Sequence, residues 1–124
     1  HFPYILRQST GCDNSLGLLK FEFDSPYSIY LHDTPEKQLF QSRRRYFSHG
    51  CVRLENAPAL ARLLLGSNHL AVDTVEEKGC VRNPRPVYVP AERPMRLLLW
   101  YNRVDLDAAG NLVLYPDPYA RRRP

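Results

Sequence analysis

A chain of 124 residues that is 44% hydrophobic has the size of one ordinary domain and enough apolar material for a core. Its 24% charged residues weigh against disorder, and no apolar run approaches the ~20 residues a membrane-spanning helix needs. The net charge of +4 gathers in Arg43-Arg44-Arg45 and Arg121-Arg122-Arg123, far apart and without any nucleic-acid module signature. It is read as loop and tail charge, and no nucleic-acid partner is expected.

Eight tyrosines and many Val, Ile and Leu runs lean toward strands, while eleven prolines keep the elements short. Residues 16–23, LGLLKFEF, end in apolar/charged alternation and read as a strand. Asp24-Ser25-Pro26 signals a turn, and residues 27–31, YSIYL, read as the returning strand of a hairpin, with His32 and Asp33 where it runs out. Thr34 as N-cap and Pro35 at the first helical position then open a short helix over residues 36–40. Asn56-Ala57-Pro58 starts a second helix, with Leu60, Leu63 and Leu64 at the spacing of one buried face and Gly66 as its stop.

Further on, residues 69–75 are a weaker strand candidate, and Asn83-Pro84-Arg85-Pro86 is a rigid connector. Residues 87–89, 95–104 and 112–115 read as strands, the last two joined by a turn at Ala109-Gly110-Asn111. The expected architecture is mainly β, with two or so short helices. Because the chain opens on His1, it is read as a fragment; an export signal or membrane anchor is expected upstream.

The chemistry concentrates in residues 47–56, FSHGCVRLEN. Of the three cysteines, Cys12 and Cys80 would suit a bridge in an oxidising compartment and leave Cys51 spare, though spacing alone does not fix the pairing. An unperturbed thiol, with a pKa of about 8.5, is only a few per cent thiolate at neutral pH. An imidazole that takes its proton makes it a nucleophile. His49 is near in sequence and His32 distant at a strand end, and chain order does not choose between them. Gly50 permits a tight turn that frees the N–H groups of Gly50 and Cys51 as oxyanion donors. Arg53 stands ready for a carboxylate or for structural hydrogen bonds. Zinc ligation by His32, His49, Cys51, His69 and Cys80 is the rival, but no pair has the usual ligand spacing, so no metal is expected.

His32, a spacer of fifteen residues, then Ser48-His49-Gly50-Cys51-Val52-Arg53 resembles the signature of the L,D-transpeptidase (YkuD-type) catalytic domain. RQSTGCDNSLGLLKF, YLHDTPEKQLF and YNRVDLDAAGNLVLYPDPYARR extend the likeness to the larger envelope-anchored members. Some forms of the family motif end in Asn where this chain has Arg53.

The resemblance implies a β-sandwich with a mixed sheet whose N-terminal strands lie upstream, so that residues 1–124 are the C-terminal portion of one catalytic domain. It implies Cys51 as nucleophile, His32 as general base, His49 as an electrostatic aid, and the Ser48 carbonyl orienting His32. Gly50 and Cys51 would hold the oxyanion, and Arg53 and Asp33 would support substrate or structure. The expected partners are peptidoglycan stem peptides in the cell envelope or periplasm, without a cofactor. Donor D-alanine would be released, and the thioester resolved by a stem amine, by water, or by a lipoprotein lysine. A catalytically silent wall-binding module and a small zinc-stabilised interaction domain are the rivals from other classes.

Overall fold

The turn signal at Asp24-Ser25-Pro26 does reverse the chain in the computed structural model, which describes residue 8 and residues 11–79 and 86–120. Ser28 N–H donates to the Ser25 carbonyl at 3.3 Å and closes the reversal. Strand β1 (Lys20–Phe21) then lies antiparallel to β2 (Leu31–His32), with Lys20 opposite His32. Strand β3 (Val52–Arg53) runs parallel along the other edge of β2, so β2 is central in a mixed three-stranded sheet. The expected hairpin is therefore present, but its ladder is two residues long and includes His32 in the second strand.

The connection from β2 to β3 carries the first helix, as a 3-10 helix over Lys37–Gln41 with Glu36 at its N-cap. Thr34 does not cap it. Its hydroxyl accepts from Glu36 N–H at 3.2 Å and closes a local turn one step earlier.

Helix α1 (Ala57–Leu65) begins as expected: Asn56 Oδ1 accepts from Ala59 N–H at 3.1 Å, Pro58 sits in the first turn, and Gly66 ends the helix at φ 53°. Its buried positions are Ala57 and Ala61, whereas Leu63 is exposed, so the inward face is rotated from the leucine stripe that the spacing suggested. A 3-10 turn (Gly66–His69) leads into α2 (Leu70–Glu77), where a strand was expected over residues 69–75. The β-branched Val72, Thr74 and Val75 favour a strand by propensity. Burial of Val72, together with ion pairs from Arg62 on α1 to Asp73 (2.7 Å) and to Glu76 on α2, overrides it. The core formed by Leu31, Ala57, Ala61 and Val72 lies between the short sheet and this helix pair.

In the C-terminal part, β4 (Val104–Leu106) and β5 (Leu112–Leu114) form an antiparallel ribbon. Its turn is fixed by Asp107, whose Oδ1 accepts from Ala109 N–H at 2.9 Å and Asn111 N–H at 2.8 Å, with Gly110 at φ 82°. These bonds hold the Asp107 carboxyl below its ordinary range, the Asn111 side chain contributing most. Residues 87–89, expected as a strand, carry no ladder among the described residues, and of the strand expected over 95–104 only Val104 pairs, as the first residue of β4. This stretch is pinned instead by Arg93 N–H donating to the Leu64 carbonyl at 2.9 Å and by Glu92 Oε2 accepting from Ser67 N–H at 2.8 Å. Helical turns thus outweigh strands among the described residues, and the mainly-β expectation is met only in the mixed sheet. Among these residues no helix is long and apolar enough to cross a membrane.

Candidate active site

The parallel pairing of β2 with β3 assembles the site. Leu31 faces Val52 and His32 faces Arg53, and Val52 N–H donates to the Tyr30 carbonyl at 3.1 Å. Side chains alternate across a strand, so Tyr30 and His32 on one strand share a face with Cys51 and Arg53 on the next. All four line a cavity of about 310 Å³, while Leu31 and Val52 turn away from it. Cys51 is a free, half-buried thiol immediately before β3. Cys12 is disulfide-bonded, and the expected partner Cys80 lies outside the described residues.

His32 is buried, and its Nδ1 lies 2.5 Å from the carbonyl oxygen of Asp33. A carbonyl oxygen only accepts, so Nδ1 carries the proton and Nε2 keeps its lone pair free to receive one. The Ser48 carbonyl was expected in this orienting role; the tight turn of the chain after β2 gives it to Asp33. Ser48 instead shapes the loop, its Oγ accepting from Gly50 N–H across a long 3.4 Å. So stretched a bond yields readily to a stronger acceptor, which keeps Gly50 N–H usable as an oxyanion donor. Gly50 has φ 143°, a conformation side-chain-bearing residues rarely adopt, although a Cβ there would meet nothing within 4 Å. Its glycine is required by the backbone rather than by crowding.

Asp33 is the buried anchor beneath this loop. Its Oδ2 accepts from Leu18 N–H at 3.0 Å, its Oδ1 from Lys37 Nζ at 2.6 Å, and its own N–H donates to the Leu19 carbonyl at 2.8 Å. Gly17 makes room for it: a Cβ there would come within 2.5 Å of Asp33 Oδ2. Lys37 Nζ also reaches the carbonyls of Leu54 (3.2 Å) and Glu55 (2.6 Å), tying the hairpin to the chain leaving β3. Asp33 therefore acts as structural support. Sequence reasoning missed Lys37, although its position four residues after Asp33 was a readable signal.

Tyr30, placed by the sequence only within the returning strand of the hairpin, was also missed. Its ring meets His32 edge-on with centroids 5.8 Å apart, and Lys20 Nζ lies 4.3 Å over its centroid. Its hydroxyl is raised above the ordinary phenol range, first by hydrogen bonding to Cys51 and then by burial. The hydroxyl therefore keeps its proton beside the sulfur.

His49 is exposed and, with Phe47, Ser48, Gly50, Cys51 and Arg53, lines both the first cavity and a second, of about 530 Å³, that shares the Cys51 loop as a wall. Arg53 is half-buried, lies 4.0 Å from Glu36, and has a buried Nε without a hydrogen-bond partner among the described residues. Among these residues no three His, Cys, Asp or Glu side chains converge as a metal site would require. The arrangement offers a thiol, an oriented imidazole, a phenol beside the sulfur, a glycine turn with usable N–H groups, and a guanidinium.

The chain is 36% identical over 125 aligned positions to a Haemophilus influenzae protein provisionally named an L,D-transpeptidase. The match takes in 98% of this chain but only 24% of that relative, so the chain spans about a quarter of its length. Residues 1–89 match the family model for the YkuD L,D-transpeptidase catalytic domain, and every residue of the first cavity lies inside that span. The spaced histidine and cysteine, the mixed sheet that joins them and this match lead to one conclusion: the chain belongs to the YkuD family of L,D-transpeptidase catalytic domains.

Proposed function

We propose that the protein is a cysteine-dependent L,D-transpeptidase acting on peptidoglycan stem peptides, with Cys51 as nucleophile and His32 as its base. The reading rests above all on one observation: His32, Tyr30, Cys51 and Arg53 share one face of the β2–β3 pair and one cavity.

His32 Nε2 takes the thiol proton, and Sγ attacks the carbonyl carbon of the third, diamino-acid residue of a donor tetrapeptide. The carbonyl oxygen becomes an oxyanion held by the N–H groups of Gly50 and Cys51. The C–N bond to the terminal D-alanine breaks, and the departing amine takes the proton back from the His32 imidazolium. A thioester remains. An acceptor amine attacks it, yields its proton to His32, and the sulfur leaves as the new amide forms, giving a 3-3 crosslink.

Tyr30 donates to the sulfur while it is negative, which favours the thiolate before attack. His49 adds to the positive field of the loop whenever it is protonated, and Arg53 offers its guanidinium to a substrate carboxylate. The β-sandwich of the family and export to the cell envelope belong to the same proposal; a disulfide at Cys12 supports an oxidising compartment.

The direct test is to incubate the full-length protein with a carbapenem and read its intact mass. The proposal expects one added carbapenem mass that disappears in Cys51→Ala, and release of D-alanine from a stem tetrapeptide by the unaltered protein only. A folded protein that takes up neither reagent would refute it, and an adduct persisting in Cys51→Ala would refute the assignment of the nucleophile.

A further inference from the structure

The sheet face that carries Tyr30, His32 and Cys51 continues onto β1. Lys20 stands opposite His32 in the antiparallel register, and residues so paired project from the same face of a sheet. Glu22, two residues further along the chain, projects with it. Lys20 does not line the first cavity, so it does not touch a substrate held there.

What Lys20 touches is Tyr30. Its Nζ lies 4.3 Å from the centroid of the Tyr30 ring, within cation–π reach, and donates to Glu22 Oε1 at 2.6 Å. The same ring meets His32 edge-on, and the Tyr30 hydroxyl is hydrogen-bonded with Cys51. Glu22, Lys20, Tyr30 and Cys51 thus form one line of contacts from the edge strand of the sheet to the thiol.

The charge at the outer end of this line is permanent. The hydrogen bond to Glu22 is the first reason the ammonium is held above the ordinary lysine range; burial opposes it, and the charges of Glu22, Tyr30 and Tyr88 assist. Lys20 therefore stays protonated throughout the range in which a thiol ionises. Hydrogen bonding to Cys51 and burial raise the phenol, and the Lys20 charge pulls the other way. A phenol drawn toward acidity is a stronger donor to a thiolate, which only accepts.

Resting on the acyl-transfer reading above, we propose that Lys20 is a positioning residue for the nucleophile: its ammonium, pinned by Glu22, fixes and polarises Tyr30 so that the phenol stabilises the Cys51 thiolate. The other charged or titratable groups around the thiol come from β2, from the Cys51 loop and from β3. They are His32, His49 and Arg53, with Glu36 4.0 Å from Arg53 and Asp33 paired to Lys37 at 2.6 Å. A substitution at Lys20 alters none of them, so a change in the thiol's pH response belongs to Lys20.

The test reads the thiolate itself. In the full-length protein, alkylation of Cys51 by iodoacetamide is followed against pH by peptide mass; the reagent needs a thiolate and no acyl transfer. Lys20→Met keeps the long stem and removes the charge, and Lys20 is exposed, so no core packing is lost. Its half-maximal rate should move up by about half a pH unit, an about threefold loss of rate at neutral pH. Lys20→Arg keeps a cation over the ring and should retain the parent profile. In a Tyr30→Phe background, Lys20→Met should move the profile by less than about 0.2 unit, because the hydroxyl that relays the charge is gone. Coincident profiles for the parent and Lys20→Met would overturn the proposal and leave Cys51 and His32 in their roles. A shift undiminished in Tyr30→Phe, or one that Lys20→Arg does not avoid, would overturn it equally. A parent that shows the Lys20-dependent profile yet is never acylated by a carbapenem would count against the transferase reading and leave the action of Lys20 on the thiol standing.

Discussion

Residues 11–79 and residues 86–120 solve the problem of order in different ways. The first region buries side chains: Val72 is 1% exposed, Thr34 1% and His32 5%. The second leaves large apolar groups open, with Leu98 78% exposed and Trp100 77%. It is held by hydrogen bonds at a few points, such as Asp107 at its turn and Asp117 beneath Tyr119. The strand that carries His32 lies where packing and buried polar contacts fix the chain. Substitutions should therefore cost stability or chemistry in the first region and little of either in the second.

The largest expected effect of this kind is at Tyr30. Tyr30→Phe keeps the ring against His32 and removes the donor to Cys51. Carbapenem acylation should slow about tenfold to a hundredfold, with thermal stability little changed. An unchanged rate would show that the hydroxyl does not serve the sulfur. Next comes Asp33. Asp33→Ala strands Leu18 N–H, removes the carboxylate partner of Lys37 and should cost about 2 kcal/mol of stability in a denaturant titration. Its effect on acylation should follow, since the hairpin would no longer hold His32 in place. A loss below about 0.5 kcal/mol would place it among ordinary surface changes and break the contrast.

The smallest effect belongs to Trp100. Trp100→Ser should change stability by no more than about 0.5 kcal/mol. Trp100 is the chain's one tryptophan, so its fluorescence should report a water-exposed indole open to a soluble quencher. A shielded, quencher-resistant indole in this chain would contradict the described exposure.

The sequence made part of this legible. Asn56 and Gly66 marked both ends of α1 because capping is local chemistry, written within a few residues. The turn at Asp24-Ser25-Pro26 and the one around Gly110 were readable for the same reason. Candidate site residues were readable because the spacing from His32 to Cys51 carried the family signature. What was hidden depends on partners distant in sequence. Helix α2 looked like a strand until Arg62 and the core around Val72 were in place. Tyr30 went unnoticed because only the register of β2 against β3 puts its side chain on the same face as Cys51. The part played by Ser48 was misassigned because a turn of the chain beyond His32 presents the Asp33 carbonyl to the ring. No residue pattern announces a backbone oxygen.

The central claim is that His32 activates Cys51 by taking its proton. The measurement is the rate of Cys51 acylation against pH in the parent and in His32→Gln, each confirmed folded. Removing a general base should slow acylation at neutral pH by about a hundredfold. The deficit should narrow as the pH passes about 8.5, where an unassisted thiol ionises by itself. Overlapping profiles at every pH would mean that the imidazole takes no part, and the mechanism would have to be abandoned.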